Sequence, residues 1–131
     1  MPQKMKRKNL TIIIPVFNEQ ENIENTVKCL KSVLAKLENK YSFDILFSDN
    51  CSTDNSFALI KKQADRDPSI KAIRLARNYG FQKSLLTAYK HAEGDATIQM
   101  DCDLQDPPEV IPFLIERWEA GHDVVVGVLT V

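Results

Sequence analysis

Two hydrophobic periods take turns along this chain, and their alternation limits its fold more than any other feature. Residues 10–16, LTIIIPV, form a short, β-branched and almost continuously apolar run, the pattern of a strand buried on both faces. Ile23, Val27, Leu30, Leu34 and Leu37 follow at helical spacing with charges between them. The exchange then repeats. Strand-like runs at 43–48, 70–76, 96–100 and 123–128 are separated by stretches carrying Phe57, Ile60 and Ala64, then Leu85, Leu86 and Tyr89, then Val110, Ile111, Leu114, Ile115 and Trp118. Helix punctuation falls between them. Asn18, Asp54 and Asp106 stand where N-caps are needed, with Glu19 and Glu21 in the first turn after Asn18. Pro107 fits the first helical position after Asp106 and Glu109 the third, while Gly94 and Gly121 fit helix ends. Five strands alternating with four helices through short connections predict an α/β, Rossmann-like, mostly parallel sheet with helices on both faces.

At 131 residues this pattern makes one domain, expected over 9–131 and preceded by a flexible basic end, 1–8, with Lys4, Lys6, Arg7 and Lys8. A net charge of −1 leaves no electrostatic footprint for nucleic acid. Cys29, Cys51 and Cys102 are odd in number and widely spaced, which excludes a disulfide framework and a zinc module and fits a reducing compartment. No run has the apolar length of a secretory leader or a membrane span, so a cytoplasmic chain is expected, with the basic end offering modest attraction to an anionic membrane face.

In a parallel sheet, ligands bind beyond the carboxyl ends of the strands. Those ends carry Pro15 to Glu19, Ser48 to Asp54, Arg77 to Gly80 and Asp101 to Asp106. Caps account for Asn18, Asp54 and Asp106 but not for Asp49, Asp101 and Asp103. In extended chain, residues i and i+2 share a side, so Asp101, Asp103 and Gln105 would face one way and Cys102 and Leu104 the other. Two carboxylates so close need a counter-charge, and Mg²⁺ or Mn²⁺ with oxygen ligands suits them. The bland reading is a solvated acidic turn ahead of a capped helix. His91 and His122 fall at a helix end and a turn and carry no assigned role.

In order and spacing, TIIIPVFNEQENI, FSDNCSTDNS, LARNYGFQKSLLTAYKHAEGD and MDCDLQDPPEVIPFLIERWEAGHDVVVGV resemble family 2 glycosyltransferases. The likeness is to the polyprenyl-phosphate branch, with its dolichyl-phosphate mannose synthases and undecaprenyl-phosphate glucosyltransferases. The resemblance implies the nucleotide-binding half of a glycosyltransferase A-type fold. It implies that Pro15, Phe17 and Glu19 line a nucleoside pocket, that Asp49 bonds the base and that Asp101 lies near ribose and metal. Asp103 and Gln105 would hold Mg²⁺ or Mn²⁺ against the diphosphate of a UDP- or GDP-hexose. Asn50, Ser52, Arg77 and Gly80 join the expected nucleotide-sugar set from their places at the strand ends. The implied reaction is inverting transfer of a hexose to a polyprenyl phosphate or another cell-envelope glycan acceptor, at the cytoplasmic membrane face. Asn50 stands where the family usually has a second aspartate, and Cys51 where it often has glycine. Family members continue beyond the position of Val131, so acceptor-side residues are expected there and a non-catalytic, nucleotide-binding remnant is the alternative. A phosphoacceptor signalling domain would want an acidic pair after the first strand and a lysine after the fifth; Asn18-Glu19 and the lysine-free end do not supply them. A phosphatase of the Asp-x-Asp-x-Thr type fails because Gln105 takes the threonine place.

Overall fold

The structure, a computed structural model, describes residues 7–128. The elements run β1 (Lys8–Val16), α1 (Ile23–Ala35), β2 (Tyr41–Asp49), α2 (Ser56–Arg66), β3 (Ile70–Arg74), α3 (Phe81–His91), β4 (Ala96–Gln99) and α4 (Ile111–Glu119), the last entered through a 3₁₀ turn, Pro108–Val110. All four strands are parallel, in the order β3-β2-β1-β4. Val16 is level with Asp49 and Asp49 with Arg74, so three strands end along one line. The chain winds outward from β1 to β3, then crosses to β4 on the other side of β1. That reversal opens a crevice at the β1–β4 boundary.

The two faces of the sheet are covered unequally. On one, Leu10, Ile12, Ile14 and Val16 of β1 and Ile45 and Phe47 of β2 pack against α1, α2 and α4 through Ile23, Val27, Leu30, Ile60, Ile111 and Ile115. Helix α1 needs this burial, since thirteen residues of mixed propensity would be marginal alone. Truncating a fully buried leucine such as Leu30 in packing of this kind costs about 2–5 kcal/mol. On the other face, Ile13 and Leu46 are covered by Ala88 and Leu85 of α3.

Four local expectations are corrected. Asn18 does not cap α1, which starts at Ile23 after Asn22. Its backbone is left-handed (φ 53°), a conformation asparagine visits more readily than most residues, and its Oδ1 accepts from the N–H groups of Thr53 and Asp54 in the β2–α2 loop at 2.8 and 3.3 Å. Asp106 makes no cap bond, and Pro107 is extended (φ −68°, ψ 137°) rather than the first helical residue. The reason is Pro108, whose ring disfavours helical backbone in the residue before it. Gly94 lies past the end of α3 and serves another need: a Cβ there would sit 2.7 Å from Thr11 Oγ1 and 2.8 Å from Thr11 N as the chain enters β4. Residues 123–128 form no strand, and Val124, Val126 and Val128 are exposed. β-Branched residues favour a strand only where a partner completes the ladder, and among the described residues β4 pairs with β1 alone.

Asp54 does act at a helix start, its Oδ1 accepting from the N–H of Ser56 at 2.9 Å, one residue beyond the N-cap Asn55. Gly121, at φ 104°, closes α4 as expected. Of the basic end, Lys4 and Lys6 lie outside the described residues. Lys8 already belongs to β1 and reaches Glu119 at 3.0 Å across the face of Trp118.

Candidate functional site

A cleft of about 380 Å³ opens at the strand ends, where the crevice rule places it. Pro15, Phe17 and Glu19 from β1 and its loop form one wall, Asp101 and Asp103 after β4 another, and Asn50 and Gly80 a third. Seven of the expected site residues are thus brought together from four separate loops. Val16 and Cys102 also line it, as do Asn78, Phe81 and Ser84, which were not singled out by sequence reasoning. The signal for Asn78 lies in the Arg77-Asn78-Tyr79-Gly80 stretch, between the cation and the glycine.

Asp49 and Ser52 sit behind the cleft rather than in it. Asp49 is fully buried. Its Oδ1 accepts from the Ser52 hydroxyl, both oxygens lie 3.3 Å from the Ser52 N–H, and Oδ2 lies 3.5 Å from Nε of Arg74. Ser52 Oγ in turn accepts from the Asn18 N–H at 2.9 Å, and Ser56 Oγ from the Glu19 N–H at 2.8 Å. These bonds zip the β1–α1 loop to the β2–α2 loop. Arg74 faces Asp49 because β3 pairs with β2 in that register, whereas Arg77 lies exposed over the ring of Tyr79 at 4.6 Å and off the cleft lining.

The acidic stretch after β4 is a turn and not extended chain, which corrects the geometry assumed for it. The Leu104 N–H reaches back to the Asp101 carbonyl at 3.4 Å, and Leu104 is left-handed at φ 59°. Asp101 and Asp103 still share the cleft, but Gln105 is exposed off its lining, and its N–H donates to Asp103 Oδ1 at 3.2 Å. Cys102 points inward as expected, 2% exposed, its thiol pushed up to about 12 chiefly by burial. Its carbonyl accepts from the Thr26 hydroxyl of α1, which pins the turn to the core. Thr26 was another residue that sequence reasoning passed over, since a threonine at helical spacing carries no mark of its long-range bond.

Asp101 has its pKa raised, first by partial burial and then by Asp106, Asp103 and Glu19. Several carboxylates therefore lie near one another, and among the described residues no lysine or arginine lines the cleft. Among the described residues, no three His, Cys, Asp or Glu side chains stand as a complete metal cage. That suits Mg²⁺ or Mn²⁺, which typically takes one or two carboxylates and fills its shell with water and substrate phosphates. Asp101 and Asp103, both on the cleft lining, are the side chains that could hold such an ion.

The profile of "Glycosyl transferase family 2" matches residues 11–131. A bactoprenol glucosyl transferase of Shigella phage SfV is 39% identical over 118 residues, which cover 90% of this chain and 38% of that protein. An undecaprenyl-phosphate 4-deoxy-4-formamido-L-arabinose transferase of Klebsiella pneumoniae is 36% identical over 119 residues, covering 90% and 36%. The chain thus spans little more than a third of these relatives' length. Among solved structures, a Pyrobaculum calidifontis mannosyltransferase in complex with GDP-Man and Mn²⁺ is similar at TM-score 0.64 and 24% identity, over 76% of this chain and 28% of that one. S. aureus TarS 1-349 in complex with UDP-GlcNAc gives a TM-score of 0.60 at 24% identity, over 83% and 31%. At that identity the likeness establishes the shared α/β, Rossmann-like fold.

Proposed function

Because the chain belongs to glycosyltransferase family 2, we propose that it is the donor-binding part of an enzyme moving a hexose from a nucleotide sugar to a polyprenyl phosphate. One observation carries this reading: Asp101 and Asp103 share a strand-end cleft with the apolar wall of Pro15 and Phe17, a pairing suited to a ligand with a flat base and a charged diphosphate. Half-exposed Phe17 offers its face to the base, and Glu19 offers an acceptor to base or ribose donors. Asp49, already bonded by Ser52, supports the pocket from behind.

The reaction proposed is an inverting displacement. An acceptor phosphate oxygen forms a bond to the sugar C1 while the C1–O bond to the diphosphate breaks, and the nucleoside diphosphate leaves with the electron pair. The acceptor is already anionic and needs little help from a general base. Asp101 and Asp103 would hold Mg²⁺ or Mn²⁺, with Gln105 beside them in sequence; when bound, such an ion offsets charge on the departing diphosphate. In support of this, Asp101 and Asp103 line the same cleft, and the Thr26 hydroxyl ties their turn to α1 through the Cys102 carbonyl.

Calorimetric titration with UDP and GDP, with and without Mn²⁺, tests the reading. One of the two is expected to bind with the metal and to lose most of its affinity in EDTA. Equal affinity in both conditions would remove the metal from the account, and silence from both nucleotides would remove donor binding.

A further inference from the structure

Asn50 and Asn78 form a closed hydrogen-bonded unit at the mouth of the cleft. Asn50 Nδ2 donates to Asn78 Oδ1 at 2.8 Å. The N–H of Tyr79 donates to Asn50 Oδ1 at 3.0 Å, and the N–H of Gly80 to Asn78 Oδ1 at 2.8 Å. Both backbone groups are donors, so they fix which end of each amide is oxygen. Asn78 Oδ1 thereby accepts two bonds, while Asn50 accepts with one end and donates with the other.

The two asparagines stand on unequal ground. Asn50 is 5% exposed and continues the β2 ladder, its own N–H bonded to the Val16 carbonyl at 2.9 Å. Residues 75–80, which it grips, have no regular structure and lead into α3 through Gly80 at φ 89°. Among the described residues, this loop has two other ties to the β2 end: the Leu75 N–H on the Asp49 carbonyl at 2.9 Å, and a 3.9 Å contact of Cys51 Sγ with the Ala76 carbonyl. Gly80, Phe81 and Ser84, downstream of the grip, line the cleft.

We propose that Asn50 is a positioning residue: through Asn78 it sets the α3 wall of the cleft against the β1–β4 wall. A carboxylate at position 50 would keep an acceptor for Tyr79 but lose the donor to Asn78. Asn78 could then bond it only by turning its amide over, which takes Oδ1 away from the Gly80 N–H. At position 78, by contrast, the oxygen only accepts, so a carboxylate there preserves every bond. This proposal deepens the donor-binding reading and rests on it for its effect on affinity, while the clamp itself is testable without any ligand.

The test is amide hydrogen exchange by NMR on the ligand-free full chain, paired with nucleoside diphosphate titration in Mn²⁺. Asn50→Asp is expected to speed Gly80 exchange roughly tenfold while sparing Tyr79, and Asn78→Asp to spare both. Asn78→Ala, at an exposed position that does not threaten folding, is expected to release Gly80 and to weaken nucleotide binding roughly five- to tenfold. Unchanged Gly80 exchange in both Asn50→Asp and Asn78→Ala would overturn the clamp. Full affinity in Asn78→Ala beside lost affinity in Asn50→Asp would make Asn50 a direct ligand contact and overturn the positioning role. A wild-type chain that binds neither UDP nor GDP would count against the donor-binding reading, and the exchange pattern would still decide the clamp.

Discussion

The β2 end and the β4 end of this cleft both carry aspartates, yet they spend them in opposite ways. At β2, Asp49 is fully buried and its oxygens are engaged by Ser52 and Arg74. At β4, Asp101 is half-buried among Asp103, Asp106 and Glu19, and those carboxylates raise its pKa further after burial. A buried carboxylate supplied with donors by its own chain is part of the scaffold. Carboxylates that crowd one another raise each other's pKa unless a cation offsets their charge. The same residue type is therefore scaffold at one strand end and one of several carboxylates near a shared cleft at the next, and its neighbours decide which.

Removing each aspartate should separate the two cases. Asp103→Ala is expected to abolish the metal-dependent part of nucleotide binding, a loss of about 100-fold, while the urea midpoint stays within about 0.5 kcal/mol of wild type, since Asp103 is exposed. Asp49→Ala is expected to cost about 3 kcal/mol of unfolding free energy, because it strands Ser52 and removes the partner of Arg74. If Asp103→Ala proved the more destabilising of the two, or Asp49→Ala left stability intact, the contrast would collapse.

The contrast extends to pH at a third aspartate, far from the cleft between α2 and β3. Burial raises Asp67, but bonds from Lys31 and Ser69 outweigh it and hold its carboxyl down at about 2. A pKa depressed in the folded state means the unfolded chain binds the proton first. The stabilisation is therefore present above the unfolded value, near 4, and is lost as pH falls toward 2. Asp67→Asn should flatten the stability profile between about pH 4 and 2, with a modest amplitude because the pair is partly solvated. Acid unfolding followed by circular dichroism checks this, and an unchanged acid limb would show that Lys31 does not hold the carboxylate.

What was legible in the sequence follows from the range of each interaction. Periodicity reports which way a side chain must face, so Ile12 and Ile14 on one side of β1 and Ile13 on the other were implicit in the strand pattern. Strand ends and the crevice rule then located Glu19, Asn50, Asp101 and Asp103 in one cleft without any contact being known. Register was not legible: Arg74 rather than Arg77 meets Asp49 because of how β3 slides against β2, which no local pattern records. Turn conformation was not legible either. Asp101 and Asp103 reach the same cleft through a bend at Leu104, not through alternation along an extended chain. The valines of 123–128 have strand propensity, yet a strand exists only where a neighbour completes its ladder.

The smallest expected effect concerns the turn that follows β2. Cys51 follows Asn50 and holds a left-handed backbone, φ 60°, the conformation that favours glycine. A Cβ in that conformation costs roughly 1–2 kcal/mol, and the side chain recovers little, since its Sγ lies 3.9 Å from the Ala76 carbonyl. Glycine removes the strain but adds freedom to the unfolded chain, which offsets roughly 0.5–1 kcal/mol of the gain. Cys51→Gly should therefore stabilise the fold by about 0.5 kcal/mol, a rise of about 1–3 °C in Tm for a domain of this size. Cys51→Ala keeps the Cβ and should leave Tm near its wild-type value. The ordering of the two variants is the informative result. Alanine matching glycine would locate the cost in the thiol, and a loss of stability in both would mean that the Sγ contact holds the β2–α2 turn more firmly than its length suggests.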